Sequence, residues 1–242
     1  MKLIFYLETL DIGGAQINAI NLGKALVDRG HQIWLVSDKG PLVSRVVSSG
    51  MNFVQIPYLP NRRPDIFRIP KLISIAKTHS VDLIQAFEYH PILEAHTASF
   101  LSGKPMYGIA AMYPLPTHFR FPKSRRIGLV NPDTKEQLIR NYGWDRDKVD
   151  LIVARLDWDY YHPYDNGDKN ILSSHGIPKK EKTVILVTRV DHVKWPTIAL
   201  FLKASEHWAH TRSGRLPIRF VVVGGGPKLN TLREHASKLP HG

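Results

Sequence analysis

Short apolar runs alternate with helix-period stretches along nearly the whole chain, and few folds accept that pattern. The runs are KLIFYL (2–7), HQIWLVS (31–37), NFVQIP (52–57), VDLIQAF (81–87), PMYGIAA (105–111), IGLVN (127–131), DLIVA (150–154), TVILVTR (183–189) and IRFVVVG (218–224). Most are continuously apolar rather than alternating, which marks strands buried on both faces. Helical patterns sit between many of them. In AQINAINLGKALVDRG (15–30), Ile17, Ile20, Leu22, Leu26 and Val27 fall near helical spacing and Gly30 supplies a C-terminal stop. IPKLISIAKTHS (69–80), ILEAHTASFLSG (92–103), PDTKEQLIRNYG (132–143) and WPTIALFLKASEHWAHTR (195–212) behave alike. The alternation predicts an α/β architecture, with parallel sheets wound by helices on both faces.

The pattern breaks at YYHPYDNGDKN (160–170), a polar stretch with Pro, Asn and Gly that reads as a linker. The expected organisation is a doubly wound domain over 1–163 and a partial second one over 164–242. Two strands and two helices leave a strand edge and parts of both sheet faces uncovered. Either the chain is a piece of a longer protein, the reading preferred here, or its last two strands join the first sheet.

Composition narrows the function classes. With 43% hydrophobic residues the chain has material for a core. It has no cysteine, which excludes disulfides and thiolate chemistry and suits a reducing compartment. Lys and Arg number 33 against 21 Asp and Glu, a net charge of +12 that favours an anionic partner over a neutral one. The N-terminal apolar run ends at Glu8, too short for the roughly seven to fifteen residues of a signal h-region. No window reaches the ~18 apolar residues of a membrane span. The expected location is cytoplasmic, with peripheral contact at the inner face of an anionic membrane through Arg62-Arg63 or the basic, Phe-containing segment FRFPKSRR (119–126). Charge alone also raises nucleic-acid binding, but no motif supports it, and none is expected.

In open parallel sheets, ligands sit beyond the carboxyl ends of the strands. After the first run, Gly13 and Gly14 directly precede a helix, where a bare backbone and free N–H groups suit an anion. This is not G-x-G-x-x-G, so Asp38 is a weak candidate for a ribose-binding acid. After the fourth run, Glu88 and His90 stand where an acid/base pair would act. After the eighth, Arg189 and Lys194 lie five residues apart, just before a helix opening near Trp195-Pro196. A guanidinium, an ammonium and helix N–H groups together suit a diphosphate. After the ninth, Gly224, Gly225 and Gly226 make a turn without side chains, and Pro227 is expected to open the next helix.

These motifs, in this order, resemble the group 1 (family 4-like) retaining nucleotide-sugar glycosyltransferases, whose GT-B fold has two facing Rossmann-like domains. The matching stretches are IGGAQ, ARLDWDYYHP with Leu156, Asp157, Tyr161 and Pro163 in register, TRVDHVKW, and VGGGP. The resemblance implies transfer of a sugar from a nucleoside-diphosphate-sugar donor to an acceptor hydroxyl, with retention and without a metal or other cofactor. Arg189, Lys194, Gly225 and Gly226 would hold the donor diphosphate, and Gly13 and Gly14 would approach the donor phosphates or sugar. The acceptor would be a glycan or lipid-linked group in polysaccharide or glycolipid biosynthesis. The first domain would bind the acceptor and the second the nucleotide.

Three departures bear on activity. The Asn-Gly of the middle signature is Ala154-Arg155, and the glycine after the family's lysine is Trp195. Where the family often has a histidine after the fifth strand, Ala111, Met112 and Tyr113 stand here, leaving His90 or His118 as substitutes. The family's paired-glutamate motif has no counterpart before residue 242, so little turnover is expected of this chain alone. The alternative is a non-catalytic nucleotide- or anion-binding module.

Overall fold

A computed structural model describes residues 1–59, 64–110, 126–152, 174–177, 182–211 and 218–239. The chain divides into two compact units, Met1–His162 and Pro163–Gly242.

In the first unit, strands β1 (Lys2–Tyr6), β2 (Gln32–Ser37), β3 (Asn52–Gln55), β4 (Leu83–Phe87), β5 (Met106–Ala110), β6 (Ile127–Leu129) and β7 (Val149–Leu151) form one sheet. Its order is β3-β2-β1-β4-β5-β6-β7, and every pairing is parallel. The order reverses between β1 and β4, so their carboxyl ends flank the crevice where doubly wound sheets bind ligands. Helices α1 (Gly14–Val27), α2 (Val43–Ser48), α3 (Arg68–Thr78), α4 (Tyr89–Ser102) and α5 (Pro132–Tyr142) join the strands.

The alternation of side chains along each strand sorts them into two cores. Leu3, Phe5 and Leu7 pack with Ala19 and Ile20 of α1 and Val46 of α2. Ile4 and Tyr6 pack on the other face with Leu72 and Ala76 of α3, Ile92 and Ala95 of α4, and Leu138 of α5. Each fully buried Ile, Leu or Phe contributes about 1.5–3 kcal/mol relative to exposure, so both faces of this sheet are needed.

The second unit has β8 (Lys182–Val187) and β9 (Ile218–Val223), paired in parallel as a sheet of their own, with α6 (Trp195–His210) and α7 (Leu229–Ser237). The last two strands therefore do not extend the first sheet. Val190, Ile198 and Leu232 form its small core, with Leu186, Trp195, Leu202 and Val222 packed against it. Val184, Ile185, Val187 and Val223 are exposed. The final helix opens at Leu229, not at Pro227. Pro227 lies in the turn before it, and the Leu229 N–H bonds to the Gly226 carbonyl.

Candidate functional site

At the carboxyl ends of β1 and β4, four side chains from three segments meet. Glu8 follows β1 and Glu88 caps α4, which starts directly after β4. Glu88 Oε1 accepts from the Gln16 amide at 3.2 Å, and its Oε2 lies 3.5 Å from the Glu8 N–H. His90 Nδ1 lies 2.9 Å from Glu8 Oε1. The two residues expected to form an acid/base pair are both at the crevice, but His90 meets Glu8, while Glu88 meets Gln16. Neither Glu8 nor Gln16 was a candidate from sequence. They come from other segments, and only the strand order brings them in.

Glu88 has φ 72° and ψ 163°, a region that is essentially glycine-only. Holding glutamate there costs about 1–3 kcal/mol. Such strain marks a position where the side chain is retained against the preference of its backbone. A methyl group built at Gly13 would lie 2.5 Å from the Gln16 amide oxygen, whereas one built at Gly14 would meet nothing within 4 Å outside its own helix. The open side of this glycine pair is therefore at Gly14.

Beneath the crevice lies a buried polar layer. Tyr6 Oη donates to Glu94 Oε2, and Glu94 Oε1 accepts from the Asp65 N–H at 2.7 Å. Arg68 Nη1 is 3.6 Å from Glu94 Oε2, with both side chains at most 1% exposed. Burial pushes the Glu94 carboxyl above the usual range, against the Tyr6 hydrogen bond and the Arg68 charge, and burial raises the Tyr6 phenol too.

Asp38 is not free to hold a ribose. Its carboxylate accepts from the Lys39 and Tyr58 N–H groups and the Gln55 amide. Burial alone would raise it, but these hydrogen bonds outweigh burial and hold it below the ordinary range. Arg126, the described end of the 119–126 segment, is paired with Asp150, which also accepts from Tyr107 Oη at 3.0 Å. Arg62, Arg63, residues 111–113, His118, the rest of the basic segment, the 154–163 signature and the 160–170 linker lie outside the described residues.

In the second unit, the TRVDHVKW motif is a compact turn organised by Asp191. One Asp191 oxygen accepts from the Lys194 N–H at 2.8 Å, and the other lies 3.1 Å from Arg189 Nη2. One carboxylate thus ties both candidate diphosphate ligands to one loop. Val190, fully buried between them, plugs that loop into the core. Lys194 caps α6 and Pro196 stands in its first turn, where a missing N–H costs nothing.

The glycine turn interlocks with this loop. Val190 donates to the Gly225 carbonyl at 2.9 Å and accepts from the Lys228 N–H at 3.0 Å. A Cβ at Gly224 would lie 1.8 Å from the Thr188 carbonyl oxygen, and one at Gly226 would lie 2.5 Å from that of Val190. Gly226 also has φ 148°. Glycine at 224 and 226 is therefore required by the neighbouring loop. Only Gly225 of the three has nothing within 4 Å of a Cβ position, so the open part of the bend is that residue. Trp195, where the family pattern has glycine, lies under Lys228, whose ammonium is 4.8 Å from the ring centroid. The His235 ring meets Trp195 edge-on at 5.6 Å. Lys228 adds a third cation to this end of the sheet, and only the fold reveals its packing.

Among the described residues, no three His, Asp or Glu side chains gather as a metal site requires. No described helix is long and apolar enough to cross a membrane.

The chain is thus built from a doubly wound α/β unit with polar groups at its switch point and a second α/β unit with a cationic strand-end turn. Residues 12–153 match the family model described as Glycosyltransferase Family 4, and the chain belongs to that family. It is 30% identical over 99 residues to the D-inositol 3-phosphate glycosyltransferase of Gordonia bronchialis, covering 40% of this chain and 21% of that protein. It is 30% identical over 104 residues to that of Rhodococcus opacus, covering 43% and 22%. Among solved structures, a glycosyltransferase from Rickettsia africae superposes with TM-score 0.77 at 17% identity, over 98% of this chain and 64% of that one. Anabaena HepE in complex with UDP-glucose gives 0.75 at 16%, over 99% and 66%. The matches thus span about a fifth of the curated relatives' length and about two thirds of the solved chains'. These likenesses show the GT-B type of α/β fold, as the motif resemblance implied.

Proposed function

We propose that the chain belongs to an enzyme that moves a sugar from a nucleoside-diphosphate-sugar donor to an acceptor hydroxyl, with retention of anomeric configuration. The observation that carries this reading is the Asp191 carboxylate, which binds the Arg189 guanidinium and the Lys194 N–H on one turn. Gly225, bonded to that turn through Val190, leaves an open backbone beside it. Negative charge grows on the departing diphosphate in the transition state, and fixed cations and N–H groups stabilise it without reorganising. Arg189, Lys194, Gly225 and Gly226 are assigned to the diphosphate. Gly13 and Gly14, at the start of α1, are assigned to donor phosphate or sugar oxygens. No metal is needed on this reading, because the cations and helix N–H groups supply the positive charge. The UDP-glucose in the HepE structure supports a nucleotide-sugar donor.

The first unit is the acceptor side, with Glu88 and His90 as its acid/base candidates. The acceptor is a glycan or lipid-linked group in polysaccharide or glycolipid assembly. The +12 net charge supports work in the cytoplasm beside an anionic membrane face. Nucleic acid has no part in this reading.

The test is thermal melting with UDP-, GDP- and ADP-sugars, since a ligand that binds only the folded state raises the melting point by mass action. One sugar nucleotide is expected to stabilise the chain, and Arg189→Ala/Lys194→Ala to abolish the response. Stabilisation that survives the double substitution places the diphosphate elsewhere. Binding without donor hydrolysis or transfer favours the non-catalytic module.

A further inference from the structure

Two side-chain pairs bridge β1 and α4 one above the other. Tyr6 and the residue two further on, Glu8, leave the chain on the same side. His90 and Glu94, four apart on α4, share a helical face. Glu8 meets His90 at the crevice, at 2.9 Å. Tyr6 donates to Glu94 below it, out of contact with solvent. Arg68 from α3 joins the two levels. Its Nη1 faces Glu94 Oε2 at 3.6 Å, and its Nη2 donates to the Leu7 carbonyl at 3.0 Å and the Glu8 carbonyl at 3.4 Å. The guanidinium lies 4.8 Å from the Tyr6 ring centroid.

Stability does not explain this layer. Arg68 Nε and Nη1 have no hydrogen-bond partner among the described residues, and leaving buried donors unmet is unfavourable. Apolar replacements of buried ion pairs are often neutral or better for stability. The surrounding core is otherwise built from Ile4, Leu72, Ile84 and Ile92. What the arrangement does accomplish is to add a side-chain donor to the Leu7 and Glu8 carbonyls, the second of which also accepts from the Asp38 N–H at 3.0 Å, next to the carboxylate that meets the crevice histidine.

We infer that Arg68, Tyr6 and Glu94 are positioning residues that set the Glu8 carboxylate so that it holds His90 with Nδ1 protonated. An ionised carboxylate only accepts hydrogen bonds, so the nitrogen facing it must carry the proton. In the neutral ring, Nε2 is then the nitrogen able to accept a hydrogen bond from an acceptor hydroxyl. The inference rests on the glycosyltransferase reading for the identity of that hydroxyl, but the tautomer can be measured without turnover.

The experiment is a long-range proton–nitrogen correlation spectrum of the imidazoles in the whole chain. His90→Gln identifies the His90 signals among the 12 histidines. At a pH where the ring is neutral, wild type is expected to show Nδ1 as the protonated nitrogen. Glu8→Leu, Tyr6→Phe and Glu94→Gln are each expected to lose that signature, and Arg68→Lys to retain part of it. A wild-type His90 protonated on Nε2 overturns the inference outright. So does an unchanged tautomer in folded Tyr6→Phe, because a purely structural layer lowers the melting point and leaves the ring as it was. Tyr6→Phe keeps the ring that packs, so it decides the matter even if Arg68→Lys does not fold. Either failure leaves the nucleotide-sugar melting response to be judged separately, since that response reads Arg189 and Lys194.

Discussion

β1 in the first unit buries four of its five residues, whereas β8 in the second buries none of its six. Both have the same kind of sequence, KLIFY against KTVILV, and both lie in parallel pairings. The difference comes from neighbours: β1 has a strand on each side and helices on both faces, and β8 has one partner strand among the described residues. The two ligand-facing ends differ accordingly. At the first unit's switch point, side chains from distant segments meet on a rigid frame. In the second, the candidate residues stand on two loops whose backbones interlock, with Val190 bonded to both Gly225 and Lys228. A well-packed sheet can present side chains, while a thin one relies on main chain locked to main chain.

The sharpest way to break this contrast is at the interlock. A methyl group at Gly224 would sit 1.8 Å from the Thr188 carbonyl oxygen, and backbone cannot give way there as a side-chain tip can. Gly224→Ala is expected to cost on the order of 4 kcal/mol, enough to abolish amide-exchange protection over 182–239 while the first unit keeps its own. Gly225→Ala meets open space and should change stability by less than about 0.5 kcal/mol, yet weaken nucleotide-sugar binding. Equal exchange profiles for the two variants would show that the loops are not interlocked.

Next in size is the core itself. Ile4 is fully buried, and Ile185, on the second sheet, is 44% exposed. Ile4→Ala is expected to destabilise by about 3 kcal/mol, as transfer and cavity contributions add. Ile185→Ala should cost under about 1 kcal/mol, because much of that side chain already faces water. Urea midpoints followed separately in each unit by exchange or by local probes give the comparison. Similar losses at both positions would mean that β8 is covered in solution.

The same contrast governs what could be read in the sequence. Seven of the nine described strands fall within the apolar runs, and β7 and β8 begin one residue before theirs, because strands of a parallel sheet carry a nearly continuous apolar signature. The six-residue helix α2, VSRVVS, escaped because so short an element, rich in valine, has no helical period to detect. In the second unit the chemistry was legible as motif, since Arg189, Asp191, Lys194 and the glycine bend are close in sequence. The reason for two of those glycines was not, because the atoms they avoid belong to another loop. At the switch point, Glu88 and His90 were visible at a strand end, but their partners were hidden. Glu8 and His90 are 82 residues apart, Tyr6 and Glu94 are 88 apart, and Gln16 and Glu88 are 72 apart. No local pattern encodes such pairs. They follow from β1 lying beside β4, a fact of strand order.

A smaller effect tests whether the first unit's rigidity serves its site. Glu88 sits at a backbone conformation that glycine adopts freely. Glu88→Gly removes strain of about 1–3 kcal/mol and gives back up to about 1 kcal/mol in unfolded-chain entropy. The expected outcome is a gain in stability of about 1 kcal/mol, read from the urea midpoint, with loss of whatever the carboxylate does. A loss of stability instead would mean that its contacts with Gln16 and the Glu8 N–H outweigh the strain.

The smallest expected effect concerns Asp38, which ties the loop after β2 to the segment after β3. Its folded pKa is below the unfolded value of 3.8, so the stabilisation is present above that value. It is lost as the pH falls through the folded one. The group is partly exposed, and solvent screening keeps the contribution to about a few tenths of a kcal/mol. Asp38→Asn should therefore lower the urea midpoint slightly near pH 7 and about equally near pH 5. The gap between variant and wild type should close as the pH falls below the unfolded value of 3.8 and through the folded one, where the wild-type carboxylate protonates. A gap that stays constant, or widens on acidification, would show that the loop is held by shape and not by the charge on this residue. Asp38 would then belong with the packed frame of the first unit, and the contrast with the hydrogen-bonded loops of the second would sharpen.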